Sequence, residues 1–246
     1  MSDDWKFYPC SMGDHVGSIL FDDGIAESLD DLPAQLLRVR IAFKQPREDG
    51  MPTAEECGDL DALEDALTTL LEEHQSVYVG RITIDGCRHL YSYTPETSLD
   101  VWSARIGEIG AVYGYDLMLA LDADDTHASY REELYPDDDS RQVINDLSVC
   151  HALAEQGDDG TQARTVEHWA AFENEATAEH FAKWVSEQGF TLGEKYATDE
   201  GGHMVAFAHE IDLGEISAHT VSLRRQAAEF GGEYDGWETM VCHSAD

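Results

Sequence analysis

The order of strand and helix signals constrains this chain more than any single residue does. Residues 36–43 (LLRVRIAF) alternate and carry β-branched side chains, as a half-buried strand requires. A Pro/Gly turn leads to Thr53, with Glu56 three residues on, a capping-box pattern. Cys57, Leu60, Leu63, Leu67, Leu70 and Leu71 then recur at helical spacing to about residue 73. Residues 76–84 and 87–93 read as strands joined by Asp85-Gly86, a two-residue hairpin signal. Leu99, Trp102, Ile106 and Ile109 mark a second helix expected to stop near Gly110, and residues 115–121 (YDLMLAL) return as a strand.

The second half repeats this order. Residues 164–172 (RTVEHWAAF) are a strand, and Asn174 is placed to cap a helix carrying Phe181, Trp184, Val185 and Gln188 before Gly189 stops it. Residues 190–197 and 203–211 are strands around the loop Thr198–Gly202. Ile216, Thr220, Leu223, Ala227 and Phe230 keep a helical stripe, Gly231-Gly232 ends it, and residues 234–242 form a last strand. Both final strands open with Tyr-Asp, at Tyr115-Asp116 and Tyr234-Asp235. The expected fold is therefore α+β: two ferredoxin-like βαββαβ sandwiches in tandem, each an antiparallel sheet with its helices on one face. The expected domains are 1–130 and 161–246, with 131–160 an acidic linker holding one helix along Val143, Ile144, Leu147 and Leu153. A strand near 5–9 lies outside the repeat. The bare face of such a sheet is covered by its sister domain or by a second copy of the chain, and the residues leave both open.

Charge narrows the function. Asp+Glu number 51 against 15 Lys+Arg, a net charge of −36, and only Lys6, Lys44, Lys183 and Lys195 are lysines. Such self-repulsion is screened within a few ångströms in molar salt, so an acid-rich, lysine-poor chain fits a halophilic host. A phosphate backbone would be repelled, which argues against direct contact with nucleic acid. No stretch approaches the roughly 20 apolar residues of a membrane span. The start, MSDDWKFYPC, lacks a signal-peptide pattern, so a cytoplasmic location is expected. Five scattered cysteines without a C-x-x-C pair form neither a disulfide framework nor a zinc knuckle.

Catalytic motifs are missing: there is no G-x-S-x-G, no phosphate-binding loop, no G-x-G-x-x-G after a strand and no H-E-x-x-H. No cofactor is expected. His168, His203 and His209 fall on strands, and if they shared a face they would form a three-histidine metal or ligand site beside Trp169 and Phe207. Half-exposed strand histidines are the plainer reading. In residues 231–238 (GGEYDGWE) the two glycines suit a helix stop. Tyr234 and Trp237 would face opposite ways on an unbroken strand, unless Gly236 marks a bulge that re-aims Trp237.

The second half resembles the regulator of ribonuclease E activity B family. The resemblance rests on Arg164-x-Val166-x-His168 with Phe172, on Gly189-Phe190, and above all on Gly231-Gly232-x-Tyr234-Asp235-Gly236-Trp237-Glu238. The first half resembles a family of unknown function often joined to such domains, through Pro46-x-x-x-Gly50-x-Pro52, Glu55-Glu56, and Tyr78-Val79-Gly80-Arg81 leading to Tyr91-x-Tyr93. The resemblance implies a non-enzymatic regulator that binds the scaffold region of a ribonuclease, with Tyr234, Asp235, Trp237 and Glu238 as the partner-binding candidates. The alternative is a metal- or ligand-binding protein or enzyme built on the histidine set.

Overall fold

Strand alternation and helical stripes build two antiparallel sheets with helices. The computed structural model describes residues 2, 4–198 and 201–243, so Asp199 and Glu200 of the expected hairpin loop lie outside the described residues. The chain divides into two compact units, Met1–Asp137 and Asp138–Asp246.

The first unit contains β1 (Trp5–Met12), β2 (His15–Asp22), a 3-10 segment (Asp23–Asp31), β3 (Gln35–Ala42) and α1 (Ala54–Glu73). β4 (Val77–Ile84), β5 (Cys87–Thr94), α2 (Leu99–Tyr113), β6 (Leu117–Ala123) and a π-helical turn (Ser129–Leu134) follow. The sheet order is β1-β2-β4-β5-β3-β6, with every pairing antiparallel. The β1–β2 hairpin thus extends the expected four strands at the β4 side. Sequence reading found its first strand but missed its second, where Gly17, Ile19 and Phe21 are buried at a period of two.

On β3, Leu37, Val39 and Ile41 point into the core with Leu60, Leu63, Leu67 and Leu71 of α1 and Trp102 and Ile106 of α2. Thr53 caps α1 by accepting the Glu56 N–H at 3.3 Å. The Glu56 carboxylate does not close the box. It accepts the N–H groups of Lys44 (2.6 Å) and Gln45 (3.2 Å) and the Tyr115 hydroxyl (3.0 Å), tying two segments to one helix start. Helix α2 does not stop at Gly110. It runs to Tyr113, and Gly114 takes the left-handed cap at φ +71°. Gly110 is there for clearance, since a Cβ on it would sit 2.8 Å from the Tyr115 carbonyl oxygen.

The second unit contains α3 (Asp138–Glu155), β7 (Arg164–Phe172), α4 (Glu175–Glu187), β8 (Thr191–Ala197), β9 (His203–Ile211), α5 (Ile216–Glu229) and β10 (Gly232–Thr239). Its sheet order is β10-β7-β9-β8, again antiparallel throughout. Counted from β3, the same order of pairing holds among β6, β3, β5 and β4 of the first unit.

Phe172, Phe181, Val185, Val205, Phe207, Leu223 and Ala227 form the core under α4 and α5. Helix α3 packs on α5, where Arg224 and Arg225 both pair with Asp139. The apolar stripe expected on α3 is only partly the buried one. Leu147 is exposed, while Gln142 and Asp146 are buried with Leu153. Stretch 131–160 contributes the end of the π-helical turn to the first unit and α3 to the second.

Candidate functional site

β10 pairs with β7 through the register Tyr234↔Ala170, Gly236↔Trp169 and Trp237↔His168, so Asp235 is the extra residue of a bulge. Gly236 accommodates it at φ +121°, a conformation that side chains resist. The bulge turns Tyr234 and Trp237 to the same side, inward, and leaves Glu233, Asp235 and Glu238 exposed. Gly231, at φ +73°, ends the α5 turn, and Gly232 is already strand. A Cβ on Gly232 would meet the Phe172 ring at 2.3 Å, so both glycines are required, each for a different reason.

Trp237 is held by Asp146. Its indole N–H donates to Asp146 Oδ1 at 2.9 Å, Gln142 Nε2 donates to the same oxygen at 2.9 Å, and the Thr220 hydroxyl donates to Oδ2 at 2.5 Å. Asp146 is 1% exposed, and among the described residues no Lys or Arg pairs with it. One carboxyl group therefore joins α3, α5 and β10. Sequence reading did not single it out, yet an acid four residues after Gln142 and seven before Leu153, on one helical stripe, was the available signal.

Tyr234 leads into a chain of rings. Its hydroxyl lies 2.7 Å from His168 Nδ1, and His168 Nε2 lies 3.1 Å from His209 Nδ1. The His219 ring stands 4.8 Å from that of His209. If the phenol donates to His168, every hydrogen bond of the chain is made and only His209 Nε2 lacks a partner. The opposite direction would orphan the buried phenol proton as well. His168 is fully buried and stacks on Phe207 at 5.3 Å.

Burial, then the neighbouring His209 and His219, depresses the His168 pKa to about 3; burial and His219 bring His209 to about 4. Burial pushes the Tyr234 hydroxyl above its ordinary value. All three are therefore neutral at pH 7, and imidazoles this weakly basic serve as hydrogen-bond links rather than general bases. Their outer end borders a cavity of about 410 Å³ lined by Trp184, Phe190, His209, His219 and Ser222 among others.

The expected set His168, His203 and His209 does not assemble. His203 sits six residues from His209 along β9, roughly 20 Å of extended strand, and borders a different cavity with Phe172 and Gly202. The imidazole that does join His168 and His209 comes from α5, as His219. Trp169 lies on the opposite face of β7 from Phe207's buried cluster. Among the described residues no group of three or more His, Cys, Asp or Glu side chains is placed to hold a metal ion. No helix among them is long and apolar enough to cross a membrane.

The comparisons with known proteins agree with this anatomy. Residues 144–239 match the family model "Regulator of ribonuclease activity B", a span that opens two residues before Asp146 and closes at the end of β10. A protein of that name from Pseudoalteromonas atlantica is 31% identical over 99 residues, covering 38% of this chain and 85% of the relative. The second half of the chain belongs to the regulator of ribonuclease activity B family. The first half, residues 3–135, belongs to a family of unknown function (DUF695). Two solved structures align over most of the chain, one described as a candidate glycine cleavage system transcriptional repressor and one an unknown protein from Galdieria sulphuraria. Their coverage is 84% of this chain and 98% of theirs, and 85% and 99%, at 10% and 8% identity. The TM-scores of 0.27 and 0.23 are too low to bear on the fold.

Two measurements test the site. Asp146→Ala leaves the Trp237 indole and Gln142 amide donors buried without this acceptor, so the second unit loses about 3 kcal/mol, while Asp146→Asn loses less because its amide oxygen still accepts. Urea denaturation of both variants checks this, and losses under about 0.5 kcal/mol for Asp146→Ala would contradict it.

The histidines add a pH dependence with a fixed sign. Unfolded imidazoles take up protons as pH falls below their ordinary value, while folded His168 and His209 stay neutral until about 3 and 4. Stability is therefore lost between those limits as pH falls. His168→Phe, which cannot titrate, should show a shallower loss from pH 6.5 to 4 than the parent chain. Equal slopes would mean that His168 is protonated in the fold.

Proposed function

We propose that this protein is a non-enzymatic regulator that binds a ribonuclease by protein–protein contact at β10, the last strand of the second unit. The observation that carries the reading is the two-sidedness of that strand. β10 is an edge strand; Tyr234 and Trp237 are locked inward, and the exposed residues at its bulge and flanks, Glu233, Asp235 and Glu238, are all acids. An edge of that kind has a free backbone row and a carboxylate row for an extended basic segment, such as the scaffold region of a ribonuclease. Of the four candidate residues, Asp235 and Glu238 make the contact, and Tyr234 and Trp237 hold the strand in the shape that presents them.

In this reading each unit is a ferredoxin-like sandwich with the strand order of that fold, the two arose by duplication, and the regulator works in the cytoplasm. The β1–β2 hairpin is an addition to the first copy. The first unit then has a role of its own.

The direct test is an RNA-cleavage assay of ribonuclease E from a host of this protein, run in molar salt with the full chain. Cleavage slows as the chain is added, and Asp235→Lys with Glu238→Lys removes the effect without changing the melting temperature. Unchanged cleavage at saturating protein would contradict the proposal. The net charge of −36 further supports a halophilic origin. The melting temperature should then fall below roughly 0.5 M salt, and a value independent of salt from about 0.1 to about 3 M would exclude it.

A further inference from the structure

Four strands end the two sheets: β1 and β6 in the first unit, β10 and β8 in the second. Open edges invite pairing, and proteins blunt them with Pro, Lys, charge or bulges. β1 carries Lys6 and Pro9. β8 carries Lys195 and a bulge between Leu192 and Lys195. β10 carries three exposed acids and the bulge at Asp235. β6 has the least of this protection, a single acid. Its sequence LMLALDA is regular in register along β3, contains no Pro, Gly, Lys or Arg, and its only charge is Asp122. Met118 is 62% exposed on it.

Beside this edge stands an arginine with no carboxylate. Arg40 of β3 lies directly across from Met118, and among the described residues the one polar contact it makes is Nη1 to Met118 Sδ at 3.4 Å. Arg105 also lacks an acid but has a ring nitrogen of His74 at 2.8 Å, whereas Arg40, in a chain with 51 acids and 15 Lys+Arg, has only a thioether. Its neighbours on the same face are Arg38, which pairs with Asp122 at 2.7 Å, and His89, across from Arg40 on β5.

We propose that β6 is the interface of a two-fold symmetric dimer in which a second copy of the chain adds its own β6, antiparallel, to this edge. An isologous pairing places residue i opposite residue j so that one register satisfies both chains. The register that overlaps all seven residues of β6 centres on Ala120, a small side chain, opposite its own copy. That register brings Leu119 opposite Leu121 of the second copy on the helix side, extending the apolar layer that Leu117, Leu119 and Leu121 already pack against. On the other side it brings Asp122 of the second copy opposite Met118, next to Arg40. The full-overlap register thus supplies the missing carboxylate twice, once per copy, without being chosen for that purpose. The contact is short-range, so it survives the molar salt that screens the repulsion between two acidic chains. The two six-stranded sheets become one continuous sheet. This dimer does not depend on the ribonuclease reading.

Light scattering on the full chain in molar salt, over a dilution series, measures it: a mass of twice 27.3 kDa is expected at the concentrated end. Met118→Asp puts like charges face to face across the register and also occupies Arg40, so it yields the monomer. Combining Met118→Asp with Asp122→Lys creates an opposite-charge pair in that register alone and restores the dimer. Both positions are exposed, and a circular-dichroism spectrum like that of the parent chain confirms that the monomeric variant is folded. A parent chain that stays monomeric at every concentration would overturn the proposal. A dimer indifferent to Met118→Asp, or one that the double variant fails to restore, would do the same.

Discussion

A single buried carboxyl group organises the second unit. Asp146 accepts from an indole, a hydroxyl and an amide, each on a different element or turn, and no Lys or Arg among the described residues pairs with it. A polar group in that position is tolerable only if its acceptor sites are filled. Filling them requires α3 to dock on α5, α5 to present Thr220 inward, and β10 to bulge so that Trp237 turns toward the helices. The same bulge brings Tyr234 to His168, and so to His209. The glycine-rich octet is a fastener on its inner side, and its glycines provide the backbone freedom for that role. Residues with a purely local reason, such as Gly232 against the Phe172 ring, are part of the same constraint.

Local physics made much of the fold legible. Alternation gave β3, β7 and β9, Thr53 and Asn174 cap their helices, and Asp85-Gly86 turns its hairpin. Gly236 could be read as a bulge because Tyr234 and Trp237 are three apart and both aromatic. What could not be read depends on partners distant in sequence. Asp146 meets Trp237 across 91 positions, and His219 reaches His209 from another element. The period of two correctly put His203 and His209 on one face, but it says nothing about the distance along the strand that separates them. Gly110 looked like a stop because glycine so often ends helices, whereas here it clears room for the Tyr115 backbone.

The chain's charge acts on two length scales. At long range, an excess of 36 negative charges makes acidity a poor guide to partners, because it suits a saline host as well as a basic ligand. At short range the arrangement is informative. Most arginines have an acid against them, including the Glu64 carboxylate shared by Arg81 (2.6 Å) and Arg88 (2.8 Å) and the buried Arg164–Asp158 pair that holds the chain end. Among the described residues Arg40 and Arg105 stand apart from that pattern, Arg105 against the His74 imidazole and Arg40 beside the least protected sheet edge. Both proposed interaction surfaces are therefore edges rather than cavities: an acidic, bulged strand in one unit and an apolar, regular strand in the other.

The claim that the octet is an internal fastener is tested most directly at the Trp237 indole proton. Bound to Asp146 inside the α3–α5–β10 junction, it should exchange with solvent only when the second unit unfolds, as slowly as the most protected amides of β7 and β9. Exchange at the rate of a free indole would show that the junction opens independently of the fold, and would contradict the account.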